Sequence, residues 1–286
     1  MPSISFPINA PHFHNFVSSK CPRTAASLPR TIGYGFLKLK KEKEVSVQLS
    51  SLTSPVSRVE TFCNLHFGRW QPSPQELGPH NSFEFGNFVV RESLLEEEYW
   101  TAAWLRAEYE GEKRKEQFSY YRKREFAYKE FYKIKKRCKE PQQGQSSTCI
   151  ITVKKQHKDV KRLVVRSVVG TLDLNIRYLL VGETFPGELG NPPRFCKVNR
   201  TPSSIFGYIA NLCVAKSLRR KGIASNMLYF AVESAKSNGV PRLYVHVDRD
   251  NNPALVLYQK FGFEVVDRAN PSLIKSKTYL LGLDCF

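Results

Sequence analysis

Phosphate-binding chemistry is written most plainly in Arg219-Arg220-Lys221-Gly222-Ile223-Ala224, a basic loop that opens a helix. Gly222 has no Cβ, so backbone there can approach a phosphate closely, and small Ala224 leaves the first helical turn equally open. Apolar Ile223, Met227, Leu228, Phe230, Ala231, Val232 and Ala235 follow at mostly helical spacing, which predicts a helix from Lys221 to Asn238, ended by Gly239 before Pro241. The first N–H groups of such a helix are unpaired and carry partial positive charge. Three full cations stand beside them, and a pyrophosphate is the natural guest. A second segment, Asn251-Asn252-Pro253-Ala254-Leu255-Val256-Leu257-Tyr258, reads as a short amphipathic helix before Phe261-Gly262-Phe263. Between the two lies an alternating strand, Leu243-Tyr244-Val245-His246-Val247. Its alternation puts Tyr244, His246 and Asp248 on one face and Leu243, Val245 and Val247 on the other.

Together these pieces resemble the GNAT superfamily of acyl-CoA-dependent N-acyltransferases, and in particular its plant plastid members. The family's first signature, Gln or Arg followed by x-x-Gly-x-Gly or Ala, is met by Arg219, Gly222 and Ala224. Its second is met by Asn251, Ala254, Leu257, Tyr258, Gly262 and Phe263. The resemblance implies a mixed α/β fold with a mostly antiparallel, twisted sheet of about seven strands splayed between strands four and five, flanked by helices. It implies acetyl-CoA as the acyl-donor substrate, with no metal. It places Leu212, Cys213 and Val214 along the pantetheine arm and Arg220, Lys221, Gly222, Ile223, Ala224 and Ser225 around the pyrophosphate. Asn251, Asn252 and Pro253 would contact the coenzyme, and Tyr258 would reach the sulfur as proton donor to the departing thiolate. The other reading of Tyr258 is an aromatic packed on the core face of its helix.

The chemistry suits these groups. An amine attacking a thioester makes a tetrahedral oxyanion, which strand N–H groups near Val214 would stabilise, and then expels a thiolate. A thiol of pKa about 8.5 leaves more readily when a positioned acid protonates it, and a phenol near 10 is protonated at neutral pH. The attacking amine must be neutral. A lysine is only roughly one part in a thousand neutral at pH 7.4, so it needs a base more than an α-amine does. His246 is the candidate base or water-orienting group, with Tyr208 beside it in a position that some amino-terminal acetyltransferases of the family also fill. Against this stands a strand histidine hydrogen-bonded within the fold. Cys213 reads as a small packed residue or, alternatively, as a covalent nucleophile.

The elements that must position these groups occupy much of the chain. Phe85–Arg91 predicts the first strand, and Leu94–Tyr109 a helix with Ser93 as N-cap and Glu96, Glu97 and Glu98 in its first turn. Trp100, Trp104 and Tyr109 then either border the acceptor or fill the core. Lys113–Lys139 carries a dense run of lysines and arginines with Phe118, Tyr121, Tyr128 and Tyr132 near helical spacing, a helix with a basic outer face and an aromatic core face. That basic face suits ribosome or nucleic-acid contact, attraction of acidic substrates, or plain solvation. Pro141–Ser147 marks a turn, Cys149–Lys155 and Val164–Leu180 read as strands, and Gly170 suggests a bulge. Gly182–Ser204 is a long Pro- and Gly-rich connection expected near the acceptor groove. Phe263–Asp267 and Thr278–Leu283 complete the strands.

Composition bounds the rest. The formal net charge is +18, of which Lys20, Arg23, Arg30, Lys38, Lys40 and Lys41, all ahead of the first acidic residue, Glu42, account for six, leaving +12. A basic, Ser-, Thr- and Pro-containing start without a compact apolar run predicts an organellar transit peptide and leader over residues 1–60, cut between about Ser50 and Phe67. The expected destination is the plastid stroma, with the mitochondrion as alternative. A linker over 61–82 then precedes the catalytic domain at 83–286. No apolar run approaches the roughly 18 residues of a membrane helix. The seven cysteines are scattered with no C-x-x-C pair, which suits a reducing compartment and suggests no metal site. The function these features imply is acetyl transfer to protein N-termini or lysines, as an alternative to small amines such as polyamines or arylalkylamines, or to a non-catalytic coenzyme- or RNA-binding role on the same fold.

Overall fold

The computed structural model describes residues 65–73, 76, 78, 81–114, 119–140, 144–156, 161–189, 196–266 and 277–286. The leader 1–60, Phe118, the Pro141–Gln143 part of the turn and the end of the 263–267 strand lie outside them.

Two strands rather than one open the domain. β1 (Ser82–Phe85) and β2 (Phe88–Glu92) form a hairpin over Gly86-Asn87, with Gly86 at φ +46, where the apolar run alone points to a single strand over Phe85–Arg91. Two helices follow, α1 (Glu96–Arg114) and α2 (Tyr120–Lys139), and then β3 (Ser146–Lys154). A single turn, α3 (Val164–Ser167), takes the first residues of the expected Val164–Leu180 strand, with Ser167 Oγ donating to the Val164 carbonyl, so β4 runs Val168–Tyr178. β5 (Ile205–Val214), α4 (Ile223–Ser237), β6 (Arg242–Asp248), α5 (Asn252–Lys260), β7 (Glu264–Val265) and β8 (Thr278–Asp284) complete the order.

The eight strands form one sheet in the order β1-β2-β3-β4-β5-β6-β8-β7. All pairs are antiparallel except β5 with β6. The extra hairpin strand moves the expected opening from strands four and five to β5 and β6. These two pair only at Gly207↔Leu243, Tyr208↔Tyr244 and Ile209↔Val245. Beyond Ile209, β5 stays on β4 as far as Val214↔Gly170, while β6 stays on β8 as far as Asp248↔Thr278. The strands therefore part, and the residues after Ile209 face a gap in the ladder.

Alternation along the strands separates two cores. On one face α4 and α5 bury Met227, Ala231, Ala254 and Phe263 against Leu174, Ile209, Leu212, Val245 and Val247. Gly170 permits this closeness: a Cβ there would stand 2.7 Å from Met227 Sδ and 3.2 Å from Ile223 Cγ2. The irregularity expected at this glycine sits beside it, where the register shifts between Thr152 and Val153. On the other face α1 and α2 bury Ala102, Ala103, Phe131 and Ile134 against Ile151, Val153 and Val168. Farther along the same face, Leu179 and Phe185 from the β4–β5 connection cover Phe206, Tyr208 and Tyr244.

Two expectations about the helices need correction. Ser93 does not cap α1 with its side chain. The Glu98 carboxylate does so, accepting the Leu94 and Leu95 N–H groups at 2.8 and 3.1 Å while Arg91 grips it from β2. Ser93 Oγ instead donates to that carboxylate at 3.4 Å. In α2 the core face is Ala127, Phe131 and Ile134, and Tyr121 is 76% exposed. The tyrosine spacing was within the helical period but one register away from the sheet. The basic face is largely answered within the fold, since Lys123, Lys129, Lys133, Lys135, Arg137 and Lys139 all meet carboxylates.

Candidate active site

The basic loop folds into the shape its glycine requires. Arg220 and Gly222 both have left-handed backbones, φ 63 and 74, and Gly222 is the N-cap of α4. A Cβ on Gly222 would meet only Asn226 Nδ2 at 3.5 Å, so conformation rather than crowding calls for glycine here. Among the described residues no side chain caps the helix. The N–H groups of Ile223, Ala224 and Ser225 therefore begin α4 with no capping side chain over them, with exposed Arg220 and Lys221 alongside. Arg219 turns away from this cradle: its Nη2 is 2.7 Å from Glu112 at the end of α1, and its Nε donates to the Val214 carbonyl at 3.4 Å.

At the end of β5, Leu212 and Cys213 are buried and Val214 half-buried. Burial pushes the Cys213 thiol up to about 12, so it is a thiol at neutral pH. Asn251 is the N-cap of α5, its Oδ1 accepting the Ala254 N–H at 3.3 Å, and Pro253 stands in the first turn, where a missing N–H is harmless. Asn252 is exposed. This cap gives Asn251 a structural task whatever else it touches.

Tyr258 lies on α5, wholly buried, its ring edge-on to Phe263 at 5.2 Å. Packing explains the ring but not the hydroxyl, which has no hydrogen-bond partner among the described residues. Leaving a buried hydroxyl unpaired costs about 1–3 kcal/mol, and phenylalanine would pack as well without that cost. Burial, with Tyr208 and Cys213 as the nearest titratable influences, pushes its phenol above the ordinary value. The structure places Tyr258 in one apolar cluster with Ile209 and Leu212 of β5 and Val245 and Val247 of β6.

His246 lies on the face that alternation assigned to it, 9% exposed, and its Nδ1 is 2.7 Å from Tyr208 Oη. Burial pulls its pKa down to about 4, so the imidazole is neutral through the physiological range. The tautomer decides its use: with Nδ1–H donated to the phenol oxygen, Nε2 is free to accept a proton; with Nδ1 accepting, Nε2 becomes a donor. Tyr109 of α1 sits where Cys213, Asp248, Glu110 and Arg219 all act on its phenol, and burial dominates in raising its pKa. Trp100, by contrast, packs on Tyr128 at 5.0 Å and Phe131 at 6.0 Å as part of the α1–α2 core.

Sequence reasoning missed a buried ionic cluster next to the gap. Asp173 of β4 accepts from Arg106 of α1 (2.6 and 3.0 Å), Arg137 of α2 (2.8 Å) and Asn211 Nδ2 of β5 (2.9 Å). Burial alone would raise its pKa, but Arg106 and then Arg137 hold it below the usual carboxylate range. The available signals were polar residues in apolar company: Asp173 within Val168–Ile176, Asn211 within Ile209–Val214, and Arg106 among alanines. Asn211 also has φ 54, a conformation asparagine tolerates better than most residues.

Residues 95–263 match the family model "Acetyltransferase (GNAT) family". The chain is 54% identical over 243 residues to "GCN5-related N-acetyltransferase 6, chloroplastic" of Arabidopsis thaliana, covering 84% of this chain and 83% of that protein. It is 31% identical over 194 residues to "GCN5-related N-acetyltransferase 7, chloroplastic" of the same plant, covering 62% of this chain and 67% of the relative. Over 74 residues it is 32% identical to an "N-alpha-acetyltransferase" of Saccharolobus solfataricus, covering 25% of this chain and 44% of that one.

Proposed function

Because the chain belongs to the GNAT family of N-acetyltransferases, we propose that it moves acetyl from acetyl-CoA to protein amines, N-terminal α-amines and lysine ε-amines, by direct attack in a ternary complex. The observation that carries this reading is the buried Tyr258 hydroxyl, which has no hydrogen-bond partner among the described residues and lies in one apolar cluster with Ile209 and Leu212 of β5 and Val245 and Val247 of β6. A thioester sulfur arriving there would supply the partner that the hydroxyl lacks.

The donor's pyrophosphate lies on the Arg220–Ser225 cradle, its pantetheine arm follows Leu212–Val214, and Asn251–Pro253 flank it from α5. The amine lone pair attacks the thioester carbon, and the carbonyl electrons move onto oxygen, stabilised by strand N–H groups near Val214. The oxyanion then collapses and breaks the C–S bond. Tyr258 donates its proton toward the sulfur as charge develops there. Its raised pKa keeps it protonated beforehand and makes its aid greatest as a hydrogen bond during bond breaking. The amine's surplus proton passes to His246, directly or through water, with Tyr208 setting the ring's orientation. Cys213, held as a thiol by burial, is a packed wall rather than a nucleophile, which favours direct transfer.

A relative named for N-alpha acetylation supports the α-amine part of this proposal. Two relatives named chloroplastic, together with the basic leader, support the plastid stroma as its destination. Labelled acetyl-CoA incubated with the leaderless protein, a peptide library and a set of polyamines tests the acceptor class. We expect label on peptide α-amines and lysines; label on polyamines alone would replace the protein reading with the small-amine one.

A further inference from the structure

We infer that Asp173 is a positioning residue for donor binding, holding the bulge of β5 to the acceptor-side helices through Asn211, Arg106 and Arg137. This rests on the proposed placement of the donor along Leu212–Val214.

The bulge is visible in the register. Ala210 stands opposite Asp173 and Cys213 opposite Thr171, so three steps along β5 match two along β4. Asn211, half-exposed at φ 54, is the residue that absorbs the difference. Its effect is to re-aim the strand. Tyr208 and Ala210 point to one face, yet Ile209 and Leu212, three residues apart, both point to the α4 side. An unbroken strand would send Ile209 and Leu212 to opposite faces. The segment offered to the donor is therefore set by what fixes Asn211.

Asp173 does that fixing. Its Oδ2 accepts from Arg106 Nη1, Arg137 Nη2 and Asn211 Nδ2, while Oδ1 accepts from Arg106 Nη2, which also donates to Thr171 Oγ1 at 2.9 Å. Glu130 approaches the same arginine at 3.8 Å. Four elements, α1, α2, β4 and β5, converge on one carboxylate. Buried ion pairs add little net stability compared with apolar packing of the same volume, so their presence at a bulge points to geometry. The cluster is also satisfied chiefly by planar guanidinium and amide donors, which fix direction as well as distance.

The test is acetyl-CoA titration by calorimetry on the full chain, wild type against Asn211→Gly, Asn211→Ala, Asp173→Asn and the Asp173→Asn/Asn211→Gly double variant. Glycine keeps the left-handed backbone and removes the amide that donates to Asp173. We expect Asn211→Gly to weaken donor binding about tenfold with its melting temperature within a few degrees of wild type, and Asn211→Ala to weaken it at least as much. The double variant should bind no more weakly than Asp173→Asn alone, because both act through one link. With pooled peptides as acceptor, the loss should fall on KM for acetyl-CoA more than on kcat. Unchanged donor affinity in Asn211→Gly, or losses that multiply in the double variant, would overturn the inference. Should Asp173→Asn fail to fold, Asn211→Gly decides alone. A wild type that takes up no acetyl-CoA would overturn the donor placement and this inference together, whereas normal wild-type uptake with unaltered Asn211→Gly would overturn only the tether.

Discussion

The half of the molecule proposed to hold the donor and the half proposed to face the acceptor are built by different physics. From Leu212 to Phe263 the chain works mainly with backbone: a left-handed glycine, an uncapped helix start and a strand end that leaves its neighbour. The ordering forces there are apolar, with Ile209, Leu212, Met227, Val245 and Phe263 in one cluster. The α1–α2 half has an apolar cluster too, but adds to it charges taken far from water, Arg91 with Glu98 and Arg106 with Asp173, partnered across as many as 67 residues of sequence. A surface that must grip an invariant diphosphate can be made from main chain. A surface that must sit at a fixed height above it is tied down with directional pairs.

Breaking one of those pairs should give the largest effect. Arg106→Ala leaves Asp173 buried with one guanidinium fewer, and we expect a loss of about 3–5 kcal/mol in denaturant unfolding. A loss below about 1 kcal/mol would mean the two halves are stabilised alike. Next is His246. Its folded pKa of about 4 lies below the unfolded value near 6.5, so the unfolded chain binds the extra proton between them. Stability should therefore rise with pH from about 4 to 6.5, by up to about 3 kcal/mol, and remain level above. In the wild type the acid limb of kcat/KM should fall near pH 4 rather than 6.5. His246→Ala should lower kcat about 10²-fold and remove that limb; an unchanged profile with a loss of only a few-fold would exclude the base role.

A smaller effect is expected at Gly222, where Gly222→Val imposes left-handed strain of roughly 1–2 kcal/mol per residue. Acetyl-CoA affinity measured by calorimetry should fall about tenfold, with little change in acceptor KM. Equal losses in both would blur the division between the halves. Least of all, Lys133→Ala on the exposed side of α2 should alter stability by no more than about 0.5 kcal/mol, since its pair with Glu130 is partly solvated. A larger change would mark the basic helix as more than a solvated face.

The same division explains what could be read in advance. Gly222, Ala224, Asn251 and Tyr258 act within contiguous segments whose spacing is set by one loop or one helical turn, so the residues announce their neighbours. The Tyr244–His246 face followed from a period of two. Nothing local pairs Arg106 with Asp173, or moves the α1 cap from Ser93 to Glu98, because those partners meet only after the sheet has formed. The hairpin at Gly86-Asn87 was hidden for another reason: Phe85 and Phe88 flank two turn residues, and a short apolar run reads as one strand unless the turn is weighed. In α2 the tyrosines misled, since Tyr121 and Tyr132 are exposed and only Tyr128 reaches the α1 core, at Trp100, while Ala127, Phe131 and Ile134 are the residues buried.

The most direct measurement is donor affinity and turnover in Tyr258→Phe, which deletes a buried hydroxyl without a hydrogen-bond partner among the described residues while retaining the ring on Phe263. We expect calorimetry to give an acetyl-CoA Kd within about twofold of wild type and single-turnover assays to show kcat reduced about 10²-fold or more. Turnover that survives the substitution would contradict the central claim, and so would donor binding lost in step with it.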